Sequence, residues 1–348
     1  MDIKVFMLPY FLNLDGIPSE QPRGGNATYL WHDPQGVWRL SKNDYGCAVQ
    51  SSCGDLHHAF RNIIMQSVDY RSLLMLIPSY VSDAGRGSEA PISSSLFQKM
   101  LKADETQPEL NRFLYLYDCQ RLVSSIQECQ KEVTQIVGEF YFTLNTEPFF
   151  NVLAPEREDD LRWSTSPTTT KLTAYLNFIF IRLHSLMDYA VKVAAEAEQL
   201  RKDFIKYPKM SSQGVQFGDR KALSINKQSG TLFENCEFMR SVETLRNHII
   251  HDALLDEMPK AYERFENWVV VERFVLLPDM TNGRLDRYVN RNLFYGAEDK
   301  INLRLPDLLS EFGHRLKNTL DAVIDILTSR YLPPDSSTSL TPTTGTLP

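Results

Sequence analysis

The stretch AYLNFIFIRLHSLMDYAVKV, running from Ala174 to Val193, decides the fold class. It is the most apolar segment of the chain, and its apolar side chains fall on more than one side of a helix, so it needs cover nearly all round. Asn177, Arg182, His184, Ser185 and Asp188 interrupt it, which makes it a poor membrane span and a good central helix of a bundle. Asn177, His184, Asp188 and Lys192 follow steps of seven, four and four and so share one face. That polar stripe is either a buried seam or one wall of a site.

Working outward, the helix around this stretch is expected over about Thr170 to Phe204. A passage containing glycine and serine, Tyr207 to Ser229, reads as loop, and a second helix is expected over Leu232 to Glu257, with Pro259 closing it. Trp268 to Leu277 (WVVVERFVLL) is β-branched and reads as a strand or a buried helical segment; periodicity does not separate the two. A loop from Pro278 to Gly283 leads towards a last long helix, Leu305 to Tyr331, with Leu309, Phe312, Leu316, Leu320 and Leu327 on a common side. Upstream, Pro108 to Phe142 carries a similar stripe through Leu110, Phe113, Leu114, Ile126 and Val133.

Before that the period is different. Residues 1–45 are β-rich, with strands at Ile3 to Leu12, Ala27 to His32 and, after the turn Asp33-Pro34-Gln35-Gly36, Val37 to Leu40. Trp31 and Trp38 are expected to pack across that hairpin. Thr143 to Thr170, with Pro148, Pro155 and Pro167, reads as a linker. The expected organisation is therefore mainly α: an α+β N-terminal region over 1–160 (β-rich 1–45, helical 55–142) of unassigned role, a helical domain over 161–332, and a disordered Ser/Thr/Pro-rich tail over 333–348.

Charge and cysteine content narrow the function classes. A formal net charge of −7 argues against a general DNA-coating protein, because phosphate affinity follows the number of Lys and Arg contacts, although a local basic groove stays open. Cys47, Cys53, Cys119, Cys129 and Cys236 form an odd set without framework spacing and read as reduced thiols. The start, Met1-Asp2-Ile3-Lys4, lacks the pattern of a secretory leader, so a cytoplasmic protein is expected. There is no Gly-rich phosphate loop, no Gly-x-Ser-x-Gly elbow and no His-Glu-x-x-His, so nucleotide hydrolysis, serine hydrolysis and zinc proteolysis lack support.

Polar, chemically able side chains concentrate in the second helix, at Leu245-Arg246-Asn247-His248-Ile249-Ile250-His251-Asp252. On a wheel, Phe238, Val242, Leu245, Ile249 and Ala253 make a core-facing side, and Ile250, Leu254 and Met258 make a second apolar strip that needs a partner. Arg246 points about 140° from His251, so one helix does not join them. A second copy packed by two-fold symmetry can.

Arg246-Asn247-x-x-x-His251 resembles the R-x4–6-H signature of the HEPN superfamily, whose members are helical-bundle domains and often RNA-cleaving toxins. In that family the position after the arginine is commonly Asn, Asp or His, which Asn247 matches. The likeness spans about Arg162 to Tyr331 and is greatest to the bacterial defence-associated subgroup; residues 1–160 carry none of it. It implies a C-terminal HEPN-like helical bundle that cleaves RNA without metal or other cofactor. The ribose 2′-hydroxyl attacks the adjacent phosphate, His251 moves the proton and Arg246 holds the phosphate, while Asn247 orients His251 or bonds the ribose or phosphate. It further implies a homodimer with one composite site, RNA as substrate, a toxin or anti-phage role, and an antitoxin or sensor protein as a further partner. Family members silenced by a nucleotidyltransferase carry a tyrosine two residues after the histidine, where this chain has Ala253.

Plainer readings stand beside this one. Arg246 and His251 also suit a salt-bridged arginine and an interface histidine in a non-catalytic HEPN-like module that binds RNA or protein. Arg182, His184 and His248 are candidates for lining the same cleft, or members of a buried polar seam. His248 and His251, three apart and beside Asp252, offer a metal pair, but no third and fourth ligand follows by spacing, and Cys47, Cys53, His57 and His58 fit no common zinc pattern.

Overall fold

Most of the polypeptide is helix, as its periodicity predicts. The computed structural model describes residues 11–19, 28–66, 68–77, 84–86, 91–103, 109–150, 157–252 and 255–331. The tail over 333–348, nearly all of the strand expected from Ile3, and Ala253 and Leu254 lie outside them. The helices are α1 (Gly46–Met65), α2 (Tyr70–Leu76), α3 (Ser94–Ala103), α4 (Leu110–Thr146), α5 (Pro167–Glu198), α6 (Glu237–Asn247) and α7 (Ile301–Tyr331). Among the described residues, no helix is long and apolar enough to cross a membrane.

Among the described residues, three small antiparallel sheets accompany them. One orders β1 (Leu12–Asn13), β2 (Tyr29–His32) and β3 (Trp38–Leu40); another orders β4 (Asp160–Ser164), β5 (Ala261–Glu266) and β6 (Val269–Val275); β7 (Met280–Thr281) and β8 (Arg284–Leu285) form a hairpin. The β-branched run after Trp268 is thus strand. The hairpin around Gly36 is present, but its register pairs Trp31 with Arg39 and Trp38 with His32. Cross-strand partners share a face, so the two tryptophans lie on opposite faces and do not pack on each other. Trp38 goes inward, against Gly138 of α4. A Cβ on Gly138 would sit 1.8 Å from the indole, which explains a glycine in the middle of a helix.

The stretch read as a linker is built into the fold at its end. Asp160–Ser164 pairs along its whole length with β5. Pro167 opens α5 because a first-turn proline loses no helix hydrogen bond, and the Ser166 hydroxyl accepts from the Thr169 amide at 3.4 Å. Proline here starts a helix and does not break one.

The chain divides into two compact units, each visited several times: residues 1–47, 128–186 and 234–315 form the first, and 48–127, 187–233 and 316–348 the second. α4, α5 and α7 each supply residues to both units, and neither unit begins or ends at residue 160. In the first unit, Leu176, Ile179, Phe180 and Leu183 of α5 are buried with Val137 and Phe140 of α4 and Phe312 of α7. A buried amide organises its polar bonds: Asn302 accepts from the Val275 amide at 3.1 Å and donates to the Leu14 carbonyl at 2.7 Å, and its own carbonyl accepts from the Tyr141 hydroxyl. In the second unit, Val49, Leu56 and Phe60 of α1, Phe113 and Tyr115 of α4, Val191 and Ala194 of α5 and Leu320 and Val323 of α7 are fully buried.

Candidate functional site at the end of α6

α6 belongs to the first unit and is held on two sides. Val242 and Leu245, with Ile249 beyond the helix end, are buried, which is the inward face expected from the wheel. Just before the helix, Glu234 takes an ion pair from Arg315 at 2.7 Å; Arg315 also pairs with Glu311 at 2.6 Å and lies over the Phe238 ring at 5.7 Å. On the other side stands the β7–β8 hairpin. Its turn residues Asn282 and Gly283 have φ of 52° and 77°, the left-handed pair that an Asn-Gly turn favours. Thr244 donates to the Gly283 carbonyl at 2.8 Å and Arg240 to the Asn282 carbonyl at 3.1 Å. A Cβ on Gly283 would stand 2.5 Å from the Glu237 carbonyl oxygen, so close approach requires glycine as well. The Asn-Gly pair was the sequence signal for this support, inside a segment read only as loop.

The helix is shorter than its pattern suggests. Regular α-helix spans Glu237–Asn247, and a single wider π turn follows over His248–Asp252. The His248 amide is shared between the carbonyls of Thr244 and Leu245. A π turn stacks residues five apart, whereas an α-helix offsets them by about 140°. Arg246 and His251 are five apart, so the wider turn narrows the angle between them.

No hydrogen bond joins their side chains among the described residues. Arg246 is half-buried and donates from Nη1 to Asn247 Oδ1 at 2.9 Å. In the single chain the exposed Asn247 amide thus bonds the guanidinium of its neighbour. His251 is exposed and makes no hydrogen bond or ion pair among the described residues. One chain thus presents, on the same short segment, a guanidinium bonded to its neighbour and an imidazole with no partner among the described residues.

The other sequence candidates have other surroundings. His248 is only 6% exposed; its Nδ1 lies 3.2 Å from Asp252 Oδ2, and its buried Nε2 has no hydrogen-bond partner among the described residues. Arg182 forms an ion pair with Glu132 of α4 at 2.8 Å and lies over the Phe178 ring at 4.9 Å, and His184 is half-buried further along α5. Of the polar stripe, Asn177 accepts from the Leu255 amide at 3.2 Å and so fixes the chain just after the π turn.

Ile250, next to His251 in the chain, is 47% exposed, and Met258, beyond the π turn, is 64% exposed. Among the described residues, no group of three or more His, Cys, Asp or Glu side chains is placed to hold a metal ion, and the five cysteines are free thiols. Comparison with protein-family models, with curated proteins and with solved structures finds no match to the chain.

Proposed function

We propose that the protein is a metal-independent endoribonuclease of the HEPN kind, active as a homodimer in which two copies of the Arg246–His251 segment complete one centre. The observation that carries this reading is an exposed imidazole without a hydrogen-bond partner among the described residues, five positions after a guanidinium that bonds Asn247 and not the imidazole. Exposed Ile250, the chain neighbour of His251, supplies apolar area for the second copy to cover. Two copies also double the local positive charge on an acidic protein.

In the reaction, one His251 imidazole takes the proton from a ribose 2′-hydroxyl. The 2′-oxygen forms a bond to phosphorus and the bond from phosphorus to the 5′-oxygen breaks. The leaving oxygen takes a proton from the imidazolium of the second copy, giving a 2′,3′-cyclic phosphate and a 5′-hydroxyl. Arg246 holds two phosphate oxygens in its planar fork and offsets the charge that builds on them. In the cell this activity suits a cytoplasmic toxin or anti-phage effector, held in check by an antitoxin or sensor partner.

Purified protein is expected to cut RNA in the presence of EDTA and to leave cyclic-phosphate ends. His251→Ala and Arg246→Ala are each expected to lower the cleavage rate by about 10²–10⁴-fold with unchanged folding. Undiminished cleavage by both variants sinks the assignment, and a strictly monomeric active protein sinks the composite centre. A second reading, a non-catalytic module that binds RNA or protein, is favoured by the engagement of Arg246 with Asn247. It is recognised by RNA retention without cleavage and by harmless overexpression.

A further inference from the structure

In the second unit, far along the chain from the motif, a cleft of about 530 Å³ opens between α4, α5 and two loops. Its volume lies within the range of sites for drug-sized small molecules, about 300–1,000 Å³. Phe97, Leu114, Leu122 and Met210 give it apolar walls.

Its polar groups are asymmetric in charge. Among the described residues, Arg86, Lys192 and Lys209 line it together with one carboxylate, Asp118, in a chain whose formal net charge is −7. Asp118 is buried and already taken: Arg86 pairs with it at 3.2 Å and the Tyr207 hydroxyl donates to it. The two lysines are different. Neither Lys192, half-buried on α5, nor Lys209 has a side-chain hydrogen bond or ion pair among the described residues. A half-buried ammonium with no partner, beside apolar walls, favours an anion that brings apolar surface with it.

The walls are held in place without any ligand. Buried Glu196 accepts from the Ser212 amide at 2.8 Å and from the Tyr115 hydroxyl, the Ser211 hydroxyl donates to the Gln199 carbonyl at 2.8 Å, and Arg201 donates to the Lys209 carbonyl at 3.0 Å. Arg121 donates to the Arg86 carbonyl. Arg86 and residues 209–212 are therefore tied to helices or to their ends, and a ligand entering there meets groups already held in place.

We propose that this cleft binds a small organic anion, a phosphate, sulfonate or carboxylate joined to an apolar body, with Lys192 and Lys209 on the anionic group and Phe97, Leu114 and Leu122 on the apolar part. The site is independent of the RNA-cleaving reading, and its test does not use RNA.

The test is fluorescence titration of the full chain with 8-anilinonaphthalene-1-sulfonate, an aryl sulfonate. Saturable binding is expected, with Lys192→Gln and Lys209→Gln each weakening it several-fold and the double variant about tenfold or more. Lys131→Gln, an exposed lysine paired with Glu128 in the first unit, is expected to change nothing. Octyl phosphate is expected to displace the dye, while octanol and inorganic phosphate at equal concentration are not. A double variant that binds the dye as the parent does overturns the proposal. So does displacement by octanol equal to that by octyl phosphate, which would make the site merely apolar, or by inorganic phosphate alone, which would make the apolar walls irrelevant.

Discussion

At the end of α6 the candidate side chains come from one short run, Arg246 to His251, with a half-buried guanidinium and an exposed imidazole that has no partner among the described residues. The cleft of the second unit instead gathers Arg86, Asp118, Lys192 and Tyr207 from four separated segments and fixes most of their polar contacts in advance. The first arrangement can be found from spacing alone, and the proposed reaction needs a second copy to complete it. The second is complete as a pocket and has no local spacing at all. A short motif shows which groups are available, whereas only the folded chain shows which groups already have work.

The sharpest way to break this comparison is to keep the charge of Arg246 and change its shape. Arg246→Lys retains a cation at the end of α6 but loses the planar fork and the Nη1 bond to Asn247. If the guanidinium clamps a phosphate, cleavage should fall by about 10–10²-fold, with dye binding in the cleft unchanged. Parent-like cleavage would mean that Arg246 supplies only diffuse positive charge, and the motif would lose its central member.

The two histidines of the motif give the next test. The sequence offers His251 as the proton carrier and His248 as a lining residue, and burial separates the two further. His248→Ala removes a ring that is 6% exposed together with its contact to Asp252, and is expected to lower stability by about 1–3 kcal/mol. His251→Ala, at an exposed position, should shift stability by less than about 0.5 kcal/mol while removing cleavage. Thermal melts of both variants decide it. Equal losses of stability would place His251 inside the fold and weaken the case for it as a proton carrier.

What was legible follows from range. The helices were readable because a buried stripe repeats within one turn: Leu316, Leu320 and Leu327 of α7 and Phe113, Leu114 and Val133 of α4 are buried as their spacing requires. The inward face of α6 was readable for the same reason. Its π turn was not, because α and π turns use the same residue types and differ only in which carbonyl the amide selects. Trp38 was placed on the hairpin, but its true neighbour, Gly138, lies about a hundred residues away, and nothing local to either announces the contact. Lys192 was seen on a polar stripe that allowed a seam or a wall; its role as a wall of the cleft depends on Arg86 and Tyr207, which no periodicity links to it.

The smallest expected effect tests whether Asp118 belongs to the cleft's charge balance or only to its scaffold. Burial raises its carboxyl above the usual range, while the Tyr207 hydroxyl and the Arg86 guanidinium pull it back. Asp118→Asn keeps a group that can accept the Tyr207 hydroxyl and removes the charge that occupies Arg86, so the aryl sulfonate should bind several-fold more tightly. The pH dependence follows the same sign. As pH falls through the raised folded value, the parent's Asp118 takes up a proton, Arg86 is released and affinity should rise, whereas the Asn variant should lose that part of the dependence. Because the folded value is raised, the ionised form is the less favoured one in the folded state. Stability linked to this group is thus present below the unfolded value and lost as pH rises through the folded one, and the Asn variant should lack this loss. Unchanged affinity in the variant, with the parent's pH dependence intact, would show that Arg86 takes no part in holding the anion and would leave Lys192 and Lys209 as the whole of its charge recognition.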